Sequence, residues 1–172
     1  MFPEVNKALE FFFKNPTTTI HLRELGRQIG FSSAGASKSL KNLAKQNLVE
    51  EQKTKAVSNY KAKLTPQFIQ LKKIYNLYSL YNSKLVDFLK KEYEFPDSII
   101  IFGSYARGED SEKSDIDIVV ITRLEKSLNL SQFEKKLQRK INILELKNLK
   151  KAKKEFINNL INGIVLEGVL QI

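Results

Sequence analysis

Apolar residues recur along the first part of this chain at helical spacing. Over residues 4–14, Val5, Leu9 and Phe12 or Phe13 line one side of a predicted helix. Asn15-Pro16 ends it, because the residue before a proline is pushed out of helical geometry. Residues 22–30 repeat the pattern with Leu22, Leu25 and Ile29 inward, and Gly30 is placed to stop the helix. A tight turn at Phe31-Ser32-Ser33 leads to a third helix over about 34–46, with Leu40 and Leu43 as its apolar positions. The rhythm then changes. Leu48 and Val49 begin an extended run, residues 56–59 turn the chain, and 60–64 alternate as a return strand. Thr65-Pro66 restarts a helix, with threonine as N-cap and proline at the first helical position. From there to Tyr93 the positions Phe68, Leu71, Ile74, Tyr75, Tyr78, Tyr81, Leu85, Phe88 and Leu89 are too densely apolar for a solvated helix. This segment is expected to pack between domains or to form a homodimer seam through residues 66–93, with a break near Asn82-Ser83.

Past Phe95-Pro96-Asp97 the pattern is that of short buried strands. Residues 98–102 form one that stops abruptly at Gly103, 115–122 a second, and 141–146 a third. A helix over 130–140 faces inward with Leu130, Phe133 and Leu137. From about 149 the chain is helical again, with Phe156, Leu160 and Ile161 apolar, and closes with Gly163-Ile164-Val165-Leu166. The order predicts an α+β chain in three parts: 1–65, a connecting helical segment 66–94, and 95–172, a small mixed sheet flanked by helices. In 1–65, three helices followed by a hairpin is the order of a winged helix-turn-helix.

Charge and composition narrow the partners. Lys and Arg total 29 against 19 Asp and Glu, a net charge of +10 that favours nucleic acid or phosphate-bearing ligands. The absence of cysteine excludes disulfides and Cys-ligated zinc. The single histidine, His21, excludes His-rich metal sites and is expected at a helix start or on the surface. No apolar run reaches the roughly 20 residues of a membrane span, and Pro3 and Glu4 interrupt any signal-peptide core. A cytoplasmic protein with no membrane partner is expected. Residues 1–65 hold 11 basic and 5 acidic side chains. Ser37, Lys38, Lys41 and Lys45 on the third helix, with Ser33 and Ser39 beside them, stand where a winged helix meets DNA phosphates. Lys53, Lys55 and Lys61 on the hairpin extend that surface. This part resembles the winged-helix DNA-binding domains of bacterial and archaeal regulators, which implies double-stranded DNA as partner, with protein binding the alternative use of the fold; with no arginine on the third helix to read guanine bidentately, the operator is not specified.

The chemistry lies between residues 103 and 117. Gly103 ends a strand and lets a ligand approach the backbone. Ser104 offers a hydroxyl and an N–H at the start of a helix, a setting that suits phosphate. Arg107 follows, able to pair with phosphate charge. Asp115 and Asp117, at i and i+2 of a strand, project their carboxylates to one face. Hard divalent cations take such oxygen donors, completing their shell with phosphate and water.

The text Ser104-Tyr105-Ala106-Arg107-Gly108 followed by Ser114-Asp115-Ile116-Asp117-Ile118, set between two apolar strands, resembles the minimal nucleotidyltransferases of the DNA polymerase beta superfamily over about residues 97–168. The resemblance implies that Gly103 and Ser104 hold a nucleoside triphosphate, ATP in the first instance, and that Asp115 and Asp117 hold Mg²⁺ or Mn²⁺. It implies transfer of a nucleoside monophosphate to a hydroxyl of a protein or small acceptor. In related proteins the acceptor is a tyrosine of a partner toxin, so an antitoxin role is implied too. The family pattern also expects a third carboxylate on the next strand. Here Asn142 takes that place, and an amide neither accepts a proton at neutral pH nor carries charge. Glu145 is the nearest acid, yet its strand parity is opposite to that of Asn142. The alternative expectation is therefore a DNA-binding regulator whose nucleotidyltransferase domain senses nucleotide without rapid turnover.

Overall fold

The computed structural model describes residues 6–53, 58–149 and 152–170; readings that fall on Glu4, Val5, Lys55, Ala56, Val57, Lys150 and Lys151 lie outside them. The chain divides into two compact units, Met1–Gln70 and Leu71–Ile172.

In the first unit Asn6 caps α1 (Lys7–Lys14), its side chain accepting from Ala8 N at 2.9 Å, and Asn15 ends it. Ala8, Phe12 and Phe13 are buried while Leu9 is only half-buried, so the inward stripe is turned by one residue from the expected one. His21 caps α2 (Leu22–Ile29) through Nδ1, which accepts from Arg23 N at 3.2 Å. Leu25 carries the burial of this helix; Leu22 and Ile29 are half-buried. Gly26 has a packing reason: a Cβ there would lie 3.0 Å from Phe31 O and 3.4 Å from Ala36 Cβ, so its absence lets the next helix approach. That helix, α3 (Ser33–Lys45), is capped by Ser32 Oγ, which accepts from Gly35 N at 3.1 Å, and buries Ala36, Leu40 and Leu43. Strands β2 (Val49–Lys53) and β3 (Ser58–Ala62) form the hairpin, and β1 (Ile20–His21) adds to its other edge, giving the antiparallel order β1-β3-β2. The two-residue β1 is too short to leave a periodic trace in the sequence.

The boundary between the units falls within α4 (Pro66–Ser83), whose first turn is capped by Thr65 Oγ1 accepting from Phe68 N at 3.2 Å. The helix breaks at Lys84, which is left-handed (φ 70°), and resumes as α5 (Leu85–Glu92). The stretch expected to be a connector is core from Leu80 onward. Leu80, Leu85, Val86, Leu89 and Tyr93 pack with Ile99, Ile101, Ile118 and Val120 of the sheet. The apolar density of α4 also misleads: Ile74 and Tyr81 are each 47% exposed, whereas Lys72 and Asn76 are buried.

The sheet of the second unit has the order β6-β5-β4-β7. Strand β4 (Ser98–Phe102) is antiparallel to β5 (Ile116–Ile121) and to β7 (Ile164–Gly168), and β5 is parallel to β6 (Ile141–Leu146) through α7 (Ser131–Leu137). One face packs on α5 and α7; on the other, Ile100, Val119 and Ile121 meet Leu149 and Leu160, and Phe102 meets Phe156 edge-on. Three expected bounds are corrected. Helix α7 stops at Leu137, because Gln138 turns left-handed (φ 54°) to feed β6. Helix α8 begins at Lys154 rather than 149. Residues 164–168 are an edge strand, and Gly163 permits it: a Cβ there would stand 2.6 Å from Ile101 O.

Candidate active site

Strand β4 delivers the chain to Gly103, whose φ of 74° is the left-handed conformation that favours glycine. A Cβ at this position would lie 3.0 Å from Asp117 Oδ2, so that carboxylate sits directly over the glycine. The short helix α6 (Gly103–Arg107) starts here with no side-chain cap, leaving its first-turn N–H groups without an intrahelical carbonyl. Half-buried Ser104 is the next residue, and Gly108 ends the helix in the left-handed conformation.

Asp115 precedes β5 and Asp117 is its second residue. Cross-strand register sets Phe102 of β4 and Asn142 of β6 on either side of Asp117. The Asn142 amide joins the two carboxylates, Nδ2 donating to Asp115 Oδ2 at 3.2 Å and to Asp117 Oδ1 at 3.0 Å. Gly103, Asp115, Asp117 and Asn142 are thus one constellation.

The other candidates stand elsewhere. Glu145 lies on the opposite sheet face, where Tyr93 Oη donates to its Oε1 at 2.6 Å and Lys126 N donates to the same oxygen at 2.9 Å. Burial, then the Glu145 carboxylate, push the Tyr93 hydroxyl pKa above its ordinary value. Glu145 therefore anchors the end of α5 and the loop after β5, and does not face the two acids as a third carboxylate. Arg107 is exposed and its Nε donates to Glu109 Oε2 at 2.7 Å, an engagement that a phosphate would have to replace.

Behind the constellation lies a buried group that the sequence reading missed. Lys72 Nζ of α4 donates to both the carbonyl and the carboxylate of Asp110, in the loop that leads to Asp115. Asn76 Nδ2 donates to Tyr105 O at 2.9 Å and to Asp110 Oδ1 at 2.8 Å, while Arg139 Nη2 approaches Asp110 Oδ2 at 3.3 Å. Desolvation lowers the Lys72 pKa and the Asp110 carboxylate opposes that shift. The available signal was Lys72 and Asn76 four apart on the stripe of Phe68, Tyr75 and Leu80, hidden by the density of neighbouring apolar residues.

In the first unit Lys38, Lys41 and Lys45 are exposed along α3, with Ser37 half-buried beside them. Ser39 is diverted, its Oγ donating to Asn6 Oδ1 at 2.8 Å. On the hairpin Lys53 is exposed, Lys61 pairs with Glu50 at 2.9 Å, and Lys55 lies outside the described residues. The basic character is thus strongest on α3.

Two carboxylates on one strand face, beside an exposed amide and a bare glycine backbone, are an oxygen-rich donor set that fits a hard cation sharing its shell with phosphate. Among the described residues no group of three or more His, Cys, Asp or Glu could hold a metal by itself, and no helix is long and apolar enough to cross a membrane.

Residues 83–166 match the family model described as a nucleotidyltransferase domain, a stretch that includes the whole constellation. A protein of Methanocaldococcus jannaschii, provisionally named a protein adenylyltransferase, is 66% identical over 32 residues. The match covers 19% of this chain and 32% of that protein, so the chain spans about a third of its relative's length. A nucleotidyltransferase domain accordingly occupies residues 83–166.

Proposed function

We propose, from this nucleotidyltransferase domain, that the protein transfers a nucleoside monophosphate from a triphosphate, ATP first, to a hydroxyl of a protein or small acceptor. The observation that carries the reading is the convergence of Asp115 and Asp117 beside the backbone of Gly103, which has no side chain to cover it. The acceptor oxygen forms a bond to the α-phosphorus as the bond to the bridging α–β oxygen breaks, and pyrophosphate leaves. Gly103 admits the phosphates against the main chain, and Ser104 supplies a hydroxyl and a first-turn N–H to them. Arg107 is the cation available to the phosphate chain once it exchanges Glu109 for phosphate. Asp115 and Asp117 are the ligands for Mg²⁺ or Mn²⁺, which when bound would offset charge on the phosphates and polarise the attacking oxygen. No carboxylate stands at position 142 to take the acceptor's proton, so that proton passes to solvent or to a group on the acceptor. The name of the archaeal relative supports adenylyl transfer to a protein, and a partner toxin is the acceptor class to try first.

We read the first unit as a winged helix-turn-helix, with α3 as the element presented to the DNA major groove. Its topology, three helices and a three-stranded antiparallel sheet, and the exposed Lys38, Lys41 and Lys45 support that reading. Exposed Ile74, Tyr78 and Tyr81 on α4 support self-association through residues 66–93. The decisive experiment is incubation of the full chain with labelled ATP, Mg²⁺ and candidate acceptor proteins. Label on an acceptor, lost in Asp117→Asn, is the expected result. Retained ATP binding with no transfer to any acceptor overturns the enzyme reading in favour of a nucleotide-sensing DNA-binding regulator, which the amide at position 142 favours.

A further inference from the structure

The Asn142 amide does more than fill the place of a missing carboxylate. We propose that it is a latch across the metal-binding pair, disfavouring a free divalent cation and yielding to one that arrives with a triphosphate. The proposal rests on the nucleotide-transfer reading of the site and deepens it to the order in which ligands enter.

Asn142 Nδ2 donates to Asp115 Oδ2 and Asp117 Oδ1 at 3.2 and 3.0 Å. Only the NH₂ end of an amide can face two ionised carboxylates; the carbonyl end would add a third electron-rich oxygen to a site that already holds two negative groups. The two hydrogen bonds therefore occupy one lone pair on each acid, on the side where the acids converge. A cation held by these two acids would compete with the amide for the oxygens that converge, Asp115 Oδ2 and Asp117 Oδ1. To take them it would have to displace the amide, which can withdraw or turn about its terminal torsion to present its oxygen.

The surroundings make this an exchange rather than a rearrangement. Asp117 is fixed, with its Oδ2 over Gly103 and its backbone in register with Phe102 and Asn142. Asn142 lies on the edge strand β6 and is exposed, so its side chain is free to turn while its backbone stays. A free hydrated cation finds two partly neutralised acids. A cation carried by a triphosphate brings phosphate contacts to Gly103 and Ser104 that the free cation lacks, and those contacts offset the loss of the amide's two hydrogen bonds. A carboxylate at position 142 would act oppositely, adding attraction for a free cation in place of competition.

The test is Mn²⁺ binding followed by electron paramagnetic resonance on the full chain without nucleotide, for wild type, Asn142→Ala and Asn142→Asp. Removing the donor in Asn142→Ala should tighten Mn²⁺ binding roughly three- to tenfold, the net weight of an ordinary hydrogen bond at this exposed site no longer competing. Asn142→Asp should bind more tightly still. With a non-hydrolysable ATP analogue present, the advantage of Asn142→Ala should vanish or reverse, because Oδ1 is then a ligand. In wild type the Asn142 side-chain amide resonance, assigned by its loss in Asn142→Ala, should stay unmoved by millimolar Mg²⁺ alone and move with Mg²⁺ and the analogue together. Equal or weaker nucleotide-free binding by Asn142→Ala, or no Mn²⁺ binding by any of the three, overturns the latch. Tighter binding by Asn142→Ala in a protein that transfers no label leaves the latch standing and removes the transferase reading.

Discussion

At the scale of single residues the site depends on what Gly103 lacks. Its left-handed backbone costs an L residue about 1–2 kcal/mol, and an added Cβ would meet Asp117 Oδ2 at 3.0 Å. Gly103→Ala should therefore lower stability by about that amount and displace Asp117. Urea unfolding checks the first effect, and weakened binding of the Mn²⁺–ATP analogue the second. Glu145 is the contrasting case, an acid near the motif that does structural work. Glu145→Gln should keep wild-type metal and analogue binding while costing about 1–2 kcal/mol, because the charge that accepts from Tyr93 and Lys126 is gone. Weakened metal binding by this variant, with unchanged stability, would return Glu145 to the site. The parity of Asn142 and Glu145 was legible in the sequence because a strand's period is fixed at two. The amide bridge was not, since it depends on the side-chain positions of three residues at once.

At the scale of elements the long helix α4 teaches the most. Its apolar residues outnumber the places available to bury them, so counting them could not tell that Lys72 and Asn76 point inward. The buried Lys72–Asp110–Arg139 group ties α4 to the loop carrying Asp115 and to the start of β6. Lys72→Ala should destabilise the chain by about 3 kcal/mol or more, because Asp110 stays buried with one cation fewer. The double variant Lys72→Met with Asp110→Asn should recover little of that loss in urea unfolding, because the buried Arg139 guanidinium then loses its carboxylate. Strand β3 gives a pH-dependent test. Tyr60 is buried, and desolvation with the bond to Glu51 raises its pKa from 10.0 to about 12. The native state thus holds this proton more tightly than the unfolded chain. Its contribution is complete below pH 10 and is lost as pH rises through about 12. Between pH 9 and 11 the urea midpoint of wild type should fall further than that of Tyr60→Phe. Caps and breaks were readable from sequence where a single residue dictates them, as with Thr65-Pro66, Asn15-Pro16 and Gly30. The end of α7 was not, because Gln138 leaves the helix in a left-handed conformation that no single residue type dictates, and the start of α8 carries no side-chain cap to mark it.

At the scale of the whole molecule, two compact units carry two kinds of charge logic. The net +10 is spread along the chain, yet the first unit concentrates exposed lysines on one helix while the second gathers two carboxylates at one strand end. The proposed activities should therefore separate by mutation in the full chain. Replacing Lys38, Lys41 and Lys45 together by alanine should weaken DNA binding, and should reduce the slope of log affinity against log salt by about 0.9 for each DNA phosphate no longer neutralised. The same variant should bind the Mn²⁺–ATP analogue as wild type does. Asp115→Asn with Asp117→Asn should show the reverse, losing metal-dependent nucleotide binding while keeping affinity and salt slope on DNA. Shift assays over a series of salt concentrations, run beside analogue titrations on both variants, read the two activities independently. An unchanged salt slope in the triple lysine variant would remove α3 as the DNA-facing element. A loss of both activities in either variant would mean that the units do not act separately.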